Sequence, residues 1–358
     1  MITLGGQVLV DSIADLVDNN ILARALPPSH HDPGFNPIRI TLILPNRNHA
    51  AELETSLAAV VGQSRPFDEI IVIDDASTDH SRKVIERFSQ QRQIKLLQNE
   101  HRLGVAGSVN RGLAAATGSH IVMASADEMI MHTMCESLAD AVARFPDLKV
   151  AVSRYTEWDA DADAHVTHDD SSPLGMWYMA GSQPQFFSPE QFRLLLRRDF
   201  VWLGVNTAIF DRAALAEVGG FDPALQWHSD WFAMYAIAFR YGFGAVPQSL
   251  AWFRVSPQSY SGRGMRDRAA QRNVVHNIAD KLNRAEFADF RAGVFASPAA
   301  LSPFVGTMLV DLPRWPRFWP LWARVMVWWL NLVVRGQRPG VGRRLLGRLR
   351  ATFQKDQL

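Results

Sequence analysis

Cysteine is almost absent from this 358-residue chain, which contains only Cys135. A single cysteine excludes a disulfide within the chain and fits a reducing compartment. The first residues also lack a basic segment ahead of their apolar positions, and Asp11 and Asp15 interrupt those positions, so we expect no signal peptide. Together these shortages predict a cytoplasmic protein.

Net charge is nearly absent as well, because 37 Lys and Arg residues oppose 36 Asp and Glu residues. A balance of +1 argues against nucleic acid as a partner. The charge is nevertheless uneven along the chain. Residues 312–358 hold ten basic residues and one acidic residue, or +9, whereas the other 311 residues sum to −8. This asymmetry predicts a separate basic tail with its own partner.

Apolar runs long enough to span a bilayer are missing too. The least interrupted run in the tail, Phe318–Val334, has 17 residues and contains a proline, an arginine and an asparagine, whereas a span needs about 20 residues. Five of the eleven tryptophans lie between Trp315 and Trp329, and tryptophan and arginine favour the membrane interface. We therefore predict that the tail, helped by the basic stretch 335–355, lies peripherally on an anionic membrane surface at the inner face of the cell membrane. A helix packed on the rest of the protein and a true span are the alternatives.

What the sequence does contain is a regular alternation of strand and helix patterns. Strands are predicted over 38–44, 69–74, 94–98, 119–125 and 148–154, and helices over 50–62, 79–91, 105–117, 132–145 and 265–289. Strands separated by helices of this length predict an α/β fold with a mostly parallel sheet and helices on both faces. We predict an N-terminal extension and linker at 1–36, an α/β domain at 37–262, a helical extension at 263–311 and the tail at 312–358.

The predicted strands stop at polar residues. The first stops at Pro45, Asn46, Arg47 and Asn48, and the second at Asp74 and Asp75. Ligands of open parallel sheets bind outside the carboxyl ends of the strands, so these stops should share one crevice. Side chains alternate along a strand, and we expect Asp75 to face the crevice, where it can accept from a base N–H such as uracil N3.

Each of these polar stretches also has a purely structural interpretation. Ser77 and Thr78 can cap the helix that begins near Asp79, and all of "DDASTD" can be turn and cap chemistry. The glycines at 104, 107, 112 and 118 fit tight packing of a helix on the sheet better than phosphate binding, and the acidic loop "EWDADADAHVTHDD" fits a solvated loop better than a calcium site.

Two further acidic segments can likewise be either functional or purely structural. Asp127 and Glu128 follow the fourth predicted strand, where they can bind a divalent cation or form an exposed turn. Asp230 lies among Trp227, His228 and Trp231 ahead of an apolar helix, where it can be an N-cap or a general base beside a sugar ring.

In combination and in order, these segments resemble the family 2 glycosyltransferases of the GT-A fold. The matching segments, which cover residues 38 to about 261, are the Pro-Asn-Arg-Asn stop at 45–48, "DDASTD" at 74–79, the run Asn99, Gly104, Asn110, Gly112 and Gly118, "SADE" at 125–128, Gly219-Gly220-Phe221-Asp222, Asp230, and "FRVS" at 253–256.

The resemblance implies an inverting glycosyltransferase that moves a sugar from a nucleotide diphosphate donor, most often a UDP- or dTDP-sugar, to a hydroxyl. The acceptor would be a glycan or a lipid-linked glycan in cell-surface synthesis. Donor-binding residues by position would be Pro45, Asn46, Arg47, Asp75, Ser77, Asp127 and Arg254. Asp127 would also ligate Mg²⁺ or Mn²⁺, and Asp230 would be the general base.

Three positions depart from the family pattern. Arg47 replaces the usual tyrosine, so a guanidinium would stack on the base. Ser125 and Ser256 replace an aspartate and a histidine that often serve metal binding. Arginines at 254, 263 and 266 could then neutralise the diphosphate instead. The alternative function is a nucleotide-sugar-binding protein of the same fold without catalysis.

Overall fold

A computed structural model describes residues 38–91, 94–159, 164–167, 181–198, 200–255, 259–304, 307–308, 316 and 319–334. All of them belong to one compact unit, Ile38–Leu358. The predicted N-terminal extension, most of the acidic loop, Ser256 and the basic stretch 335–355 lie outside the described residues. The division of the chain at 262 and at 311 stays a prediction.

The described residues contain ten strands in one sheet. They are β1 Ile40–Asn46, β2 Glu69–Asp74, β3 Ile94–Gln98, β4 His120–Met123, β5 Met129–Ile130, β6 Val150–Asp159, β7 Ala164–Thr167, β8 Gln185–Phe187, β9 Ala208–Asp211 and β10 Phe243–Val255. The strand order is β3-β2-β1-β4-β9-β6-β10-β5, with β7 beside β6 and β8 beside β10.

Most of the described strands run in the same direction. The four strands β1 to β4 pair in parallel, and β6 and β10 share their direction because β9 lies antiparallel between β4 and β6. Strands β5, β7, β8 and β9 run the opposite way. The predicted α/β fold class with a mostly parallel sheet is confirmed, and the carboxyl ends of six strands lie along one edge.

Eleven α-helices lie within the described residues. They are α1 Ala50–Val61, α2 Ser81–Gln91, α3 Gly104–Ala115, α4 Met134–Arg144, α5 Pro189–Arg198, α6 Arg212–Glu217, α7 Ser229–Tyr241, α8 Tyr260–Arg266, α9 Arg268–Leu282, α10 Ala288–Ala296 and α11 Trp319–Val334. Short 3₁₀ turns at Val205–Thr207 and Pro223–His228 lie close to the carboxyl edge and to α7.

The sheet separates two hydrophobic cores, because successive side chains of a strand point to opposite faces. Leu42 and Leu44 of β1 pack in one core with residues of α1, α2 and α4. Ile43 of the same strand packs in the other core with α3, α7 and the helices that follow. A Cβ at Gly112 would lie 2.8 Å from the Ile43 side chain, so the predicted packing role of this glycine is confirmed.

Helices that follow the predicted boundary at 262 pack on α7. Phe232 and Phe239 of α7 contact Phe290 of α10 with ring centroids 4.9 and 5.4 Å apart. In α11, Leu321 and Val325 are buried in the same core. None of the helices in the described part of the chain is both long and apolar enough to cross a membrane.

Candidate active site

The end of β1 is fixed to the end of β2 by hydrogen bonds between buried side chains. Asn46 is 2% exposed, and its Nδ2 donates to Asp74 Oδ1 and to Ser77 Oγ, each at 3.3 Å. Asp74 is wholly buried and also accepts from Arg82 Nε at 2.9 Å. Both amide hydrogens of Asn46 are therefore used, and its buried Oδ1 has no hydrogen-bond partner among the described residues. A ligand donor can fill this acceptor.

Asp75 connects the same edge to the start of α3. Its Oδ1 accepts from Asn99 Nδ2 at 2.8 Å and from the Leu103 N–H at 2.7 Å, and its Oδ2 accepts from the Gly104 N–H at 2.9 Å. A carboxylate has about four lone-pair sites, so Oδ2 keeps room for one further donor. Asp75 consequently has a structural role at the helix start and a remaining position for a ligand N–H.

Arg47 lies beside these residues with its guanidinium held in place. Its Nη1 donates to the carbonyl oxygens of Asp75 at 2.7 Å and Ala76 at 3.2 Å. Ala76 and Asn48 have φ values of 54° and 56°, a region that residues other than glycine seldom occupy. Strained backbone of this kind is concentrated at functional sites.

The predicted capping role of Ser77 and Thr78 is wrong. Ser77 Oγ accepts from the Asn48 N–H at 3.1 Å, and the Thr78 N–H donates to Asn48 Oδ1 at 2.8 Å, so both residues join the loop after β2 to the loop after β1. Asp79, two residues before α2 begins, instead accepts from the Ser81 N–H at 2.9 Å.

The two acidic residues that follow β4, Asp127 and Glu128, make different contacts. Asn206 Nδ2 donates to Ser125 Oγ at 3.0 Å and to a carboxylate oxygen of Glu128. Burial and the neighbouring charge of Asp127 raise the pKa of Glu128 to about 8. Glu128 is thus turned toward Asn206, and Asp127, which is partly exposed like Glu128, is the carboxylate left for a ligand.

A divalent metal fits this site through Asp127. The described residues contain no group of three acidic, histidine or cysteine side chains that could enclose an ion. Mg²⁺ does not need such a group, because it commonly takes one or two carboxylates and completes its shell with substrate phosphates and water. Ser125, whose hydroxyl is bound to Asn206, adds no carboxylate.

The N-cap interpretation of Asp230 is wrong. The N-cap of α7 is His228, which makes no side-chain cap bond, and Asp230 is the second residue of the helix. Its Oδ1 accepts only from the adjacent Trp231 N–H, at 2.7 Å, among the hydrogen bonds of the described residues. Burial raises the pKa of Asp230 from 3.8 to about 6. A carboxylate with this pKa can exchange a proton near neutral pH, as a general base must.

The side chains around Asp230 are held by α9. Gln271 Oε1 accepts from Trp227 Nε1 at 2.8 Å, and the Gln271 side chain also contacts His228 Nε2. Burial lowers the pKa of His228 to about 4, so this imidazole is neutral. Within the described residues no lysine or arginine forms an ion pair with Asp230, and its carboxylate is available to a substrate.

The Gly-Gly-Phe-Asp segment is held by Asn110 of α3. Asn110 Nδ2 donates to the Phe221 carbonyl at 2.6 Å, and its Oδ1 accepts from the Phe221 N–H at 2.9 Å. Gly220 has a φ of 65°, and a Cβ there would lie 2.7 Å from Asn110 Oδ1. Asp222 then caps the turn that leads to Trp227 and Asp230, accepting from the Ala224 N–H at 3.0 Å.

Arg254 lies at the carboxyl end of β10, and its Nη1 forms an ion pair with Glu52 of α1 at 2.8 Å. Its positive charge is therefore already engaged, and a role with the donor diphosphate stays a prediction.

Sequence reasoning missed Asn206, Arg102 and Tyr260, which lie close to the predicted site residues. No sequence motif marks these three positions, so the sequence does not distinguish them from other polar residues.

The chain was then compared with known proteins. Residues 41–209 match the protein family described as Glycosyl transferase family 2. This stretch is a family 2 glycosyltransferase domain. It contains β1 to β4 and the polar ends of those strands, so the resemblance inferred from the motifs is confirmed.

Two curated relatives illustrate the similarity of this chain to known glycosyltransferases. An uncharacterised glycosyltransferase of Nostoc is 25% identical over 223 residues, which are 61% of this chain and 65% of the relative. The Escherichia coli enzyme named UDP-Glc:alpha-D-GlcNAc-diphosphoundecaprenol beta-1,3-glucosyltransferase is 34% identical over 90 residues, which are 25% of this chain and 35% of that enzyme. The matches span less than two thirds of either relative.

Solved structures share the fold of this chain. S. aureus TarS 1-349 superposes with a TM-score of 0.56 at 17% identity, covering 80% of this chain and 78% of TarS 1-349. The same protein in complex with UDP-GlcNAc gives a TM-score of 0.57 at 16% identity, covering 80% and 79%. The GT-A fold expected from the motifs is thereby confirmed.

Proposed function

We propose that this protein transfers a sugar from a nucleotide diphosphate donor, a UDP- or dTDP-sugar, to a hydroxyl acceptor with inversion at the anomeric carbon. The observation that carries the proposal is the shared carboxyl edge of the sheet in a family 2 domain. There, base acceptors follow β1 and β2, an available carboxylate follows β4, and Asp230 with its raised pKa lies at the start of α7.

The donor base binds between the ends of β1 and β2 in this proposal. Asn46 Oδ1 and Asp75 Oδ2 supply acceptors for a base N–H, and the fixed guanidinium of Arg47 supplies a flat cationic surface beside them. Pro45 and Ser77 complete this wall. Support comes from TarS, which binds UDP-GlcNAc, and from the E. coli relative, whose name specifies UDP-Glc.

Asp230 takes the proton from the acceptor hydroxyl as the new glycosidic bond forms. The hydroxyl oxygen attacks the anomeric carbon, the bond to the diphosphate breaks, and the nucleotide diphosphate leaves with the bonding electrons. One direct displacement of this kind inverts the configuration. Asp127 would hold Mg²⁺ or Mn²⁺, which when bound offsets negative charge on the diphosphate. A carboxylate after β4 together with Asp230, whose pKa is raised, favours an enzyme over a protein that only binds donor.

Thermal protection by nucleotide sugars tests the donor assignment. UDP- or dTDP-sugars should raise the melting temperature of the full chain, because a ligand that binds only the folded state stabilises it. Mg²⁺ should increase that protection in the parent and not in Asp127→Asn. Asp140→Asn, which removes an exposed carboxylate from α4, is the matched control and should respond like the parent. Equal metal responses in the parent and Asp127→Asn contradict the assignment of Asp127.

Helix α11 supports peripheral membrane binding, which fits an acceptor linked to lipid. Leu321 and Val325 hold one side of the helix in the core. The opposite side is apolar and exposed to solvent at helical spacing, through Trp319, Ala323, Val327 and Leu330. The stretch 335–355 then adds seven basic and no acidic residues. An exposed apolar face followed by positive charge fits the surface of an anionic bilayer.

Vesicle flotation tests this surface. The full chain should float with vesicles that contain phosphatidylglycerol and much less with pure phosphatidylcholine, because binding needs both apolar burial and charge attraction. Val327→Asn with Leu330→Asn should reduce flotation several-fold, since the change removes half of the exposed face. Leu194→Asn alters an equally exposed leucine of α5 and should leave flotation unchanged. Equal flotation of all three proteins contradicts a role of α11.

A further inference from the structure

The turn that leads to Asp230 contains a strained residue. Gln226 has a φ of 46° and a ψ of −119°, a combination that glycine adopts readily and residues with a Cβ rarely do. Its side chain is exposed, so burial of that side chain does not hold the backbone in this conformation. Strain of this kind persists only where surrounding contacts fix it, and it is concentrated at functional sites. The contacts that fix Gln226 have to come from the residues next to it.

The two residues that follow Gln226 are both held by Gln271 of α9, which is 7% exposed. The Trp227 indole can only donate, so Gln271 Oε1 accepts from Trp227 Nε1 at 2.8 Å, and the Gln271 NH₂ group is left to donate to His228 Nε2 at 3.1 Å. A Cβ at Gly264 would lie 2.2 Å from the Trp227 ring, so the backbone of α8 also packs on the indole. One buried amide therefore fixes two consecutive residues of the turn.

Aromatic packing connects this turn to the first residues of α7. His228 is the N-cap of α7, and Asp230 is the second residue of the helix. Phe304 contacts the rings of His228 and Trp231 edge to face, with centroids 4.7 and 4.8 Å apart. Asp230 lies between His228 and Trp231 in the chain, so contacts on both sides of it determine where the first turn of α7 points.

Gln271 lies on the buried face of α9, where an apolar side chain would be enough for packing. The buried residues of α9 are Gln271, Val274, Val275, Ile278, Lys281 and Leu282. Its two polar members both reach the chain ahead of Asp230, because Lys281 Nζ donates to Asp222 Oδ2 at 2.7 Å. Burying a polar group costs free energy unless it is hydrogen-bonded, and an apolar replacement of the same shape can be nearly neutral for stability. What the two polar residues add is the position of the chain ahead of Asp230.

We infer that Gln271 is a positioning residue for the proposed general base, because it holds the turn 226–228 in its strained conformation and so fixes the direction in which α7 presents the Asp230 carboxylate. The inference rests on the proposed function and deepens it with a residue from outside the family domain at 41–209. A general base has to lie within hydrogen-bond reach of the proton that it takes, and a displacement of about 1 Å can slow a reaction about 10²-fold. Gln271 acts on the rate through Trp227 and His228 and does not touch the substrate.

Transfer rates of four forms of the full chain test this role. The first is the parent, and the second is Gln271→Met, which keeps the length of the side chain but removes both hydrogen bonds. The third adds Gln226→Gly to Gln271→Met and so also removes the strain, because glycine adopts a positive φ without steric cost. The fourth, Ile278→Val, is the matched control and trims a buried side chain on the same face of α9 two turns further along. Melting temperatures confirm that each form is folded.

Gln271→Met is expected to lower kcat at least about tenfold and to leave the donor KM and UDP affinity unchanged, because the base moves and the donor site does not. Adding Gln226→Gly should recover the lost kcat several-fold, since the turn can then return to its conformation without strain. Ile278→Val should lower the melting temperature and keep the parental kcat. A role of Gln271 in stability alone predicts instead that kcat follows the melting temperature in all four forms.

Three results overturn the inference: a parental kcat in Gln271→Met, a kcat that falls equally in Ile278→Val, or a double variant no faster than Gln271→Met. A parent that transfers no sugar with any donor contradicts the proposed function instead. Melting temperatures then still decide whether Gln271 holds the turn. Gln226→Gly should raise the melting temperature of the parent, and raise it less in the Gln271→Met background, where the turn has already relaxed. Equal gains in both backgrounds overturn the inference.

Discussion

Replacing Asp230 with asparagine is expected to slow sugar transfer by a factor on the order of 10² to 10⁴ without weakening donor binding. Asparagine keeps the shape and one acceptor oxygen but cannot take the proton of the acceptor hydroxyl. In the structure Asp230 is only partly exposed, its pKa is raised to about 6, and it has no ion-pair partner among the described residues. Steady-state rates with a donor chosen by thermal protection measure the effect, and calorimetry measures UDP affinity.

The pH dependence provides a second readout of the same group. A general base acts when ionised, so the parental rate should rise as pH increases through about 6. The raised pKa also means that ionising Asp230 opposes folding: stability is lost as pH rises from about 4 through 6. Asp230→Asn should consequently be no less stable than the parent at neutral pH. Asp140→Asn, a matched control on α4, should have the parental transfer rate and stability. An Asp230→Asn protein that transfers sugar at the parental rate would exclude the general-base role.

Replacing Asp75 with alanine is expected to weaken UDP binding by about 1 to 3 kcal/mol, because the base loses a buried acceptor. Asp75 also holds the Leu103 and Gly104 N–H groups at the start of α3, so some of any loss could come from movement of that loop. The structural contribution has to be separated from the contact with the base.

A UDP analogue methylated at N3 makes that separation. The analogue cannot donate to Asp75, so the parent should bind UDP more tightly than the analogue. In Asp75→Ala the difference should disappear, since neither ligand finds the acceptor. Calorimetry of both ligands with both proteins measures the coupling. A preference for UDP that survives unchanged in Asp75→Ala contradicts the base contact, whatever happens to overall affinity.

The sequence was sufficient to predict five of the ten described strands, β1 to β4 and β6, and the edge at which their polar ends meet. Near-continuous apolar runs identified the buried strands, and polar residues identified their ends. At the end of β2 both acids are buried: Asp74 contacts Asn46 and Arg82, whereas Asp75 accepts from N–H groups at the start of α3. That Asp75 faces a ligand stays a prediction. Asp127 and Asp230 were found by the family pattern, because neither position differs locally from a turn or a cap.

Contacts between distant segments could not be predicted. Ser77 and Thr78 have good capping propensity, yet the loop after β1 offered them closer partners at Asn48. The hydrogen-bond partner of Glu128 is Asn206, which reaches it from the turn before β9. Tyr260 meets Trp227 across 33 residues of chain. Such pairings follow from tertiary structure and leave no periodic signal in the chain.

Calorimetric titration of the full chain with UDP tests the central claim most directly, because the claim is that the carboxyl edge of the sheet binds a nucleotide diphosphate. The account predicts one UDP bound per chain, with Mg²⁺ strengthening the binding and Asp75→Ala weakening it. A chain that is folded and binds neither UDP nor dTDP, with or without Mg²⁺, would contradict the account.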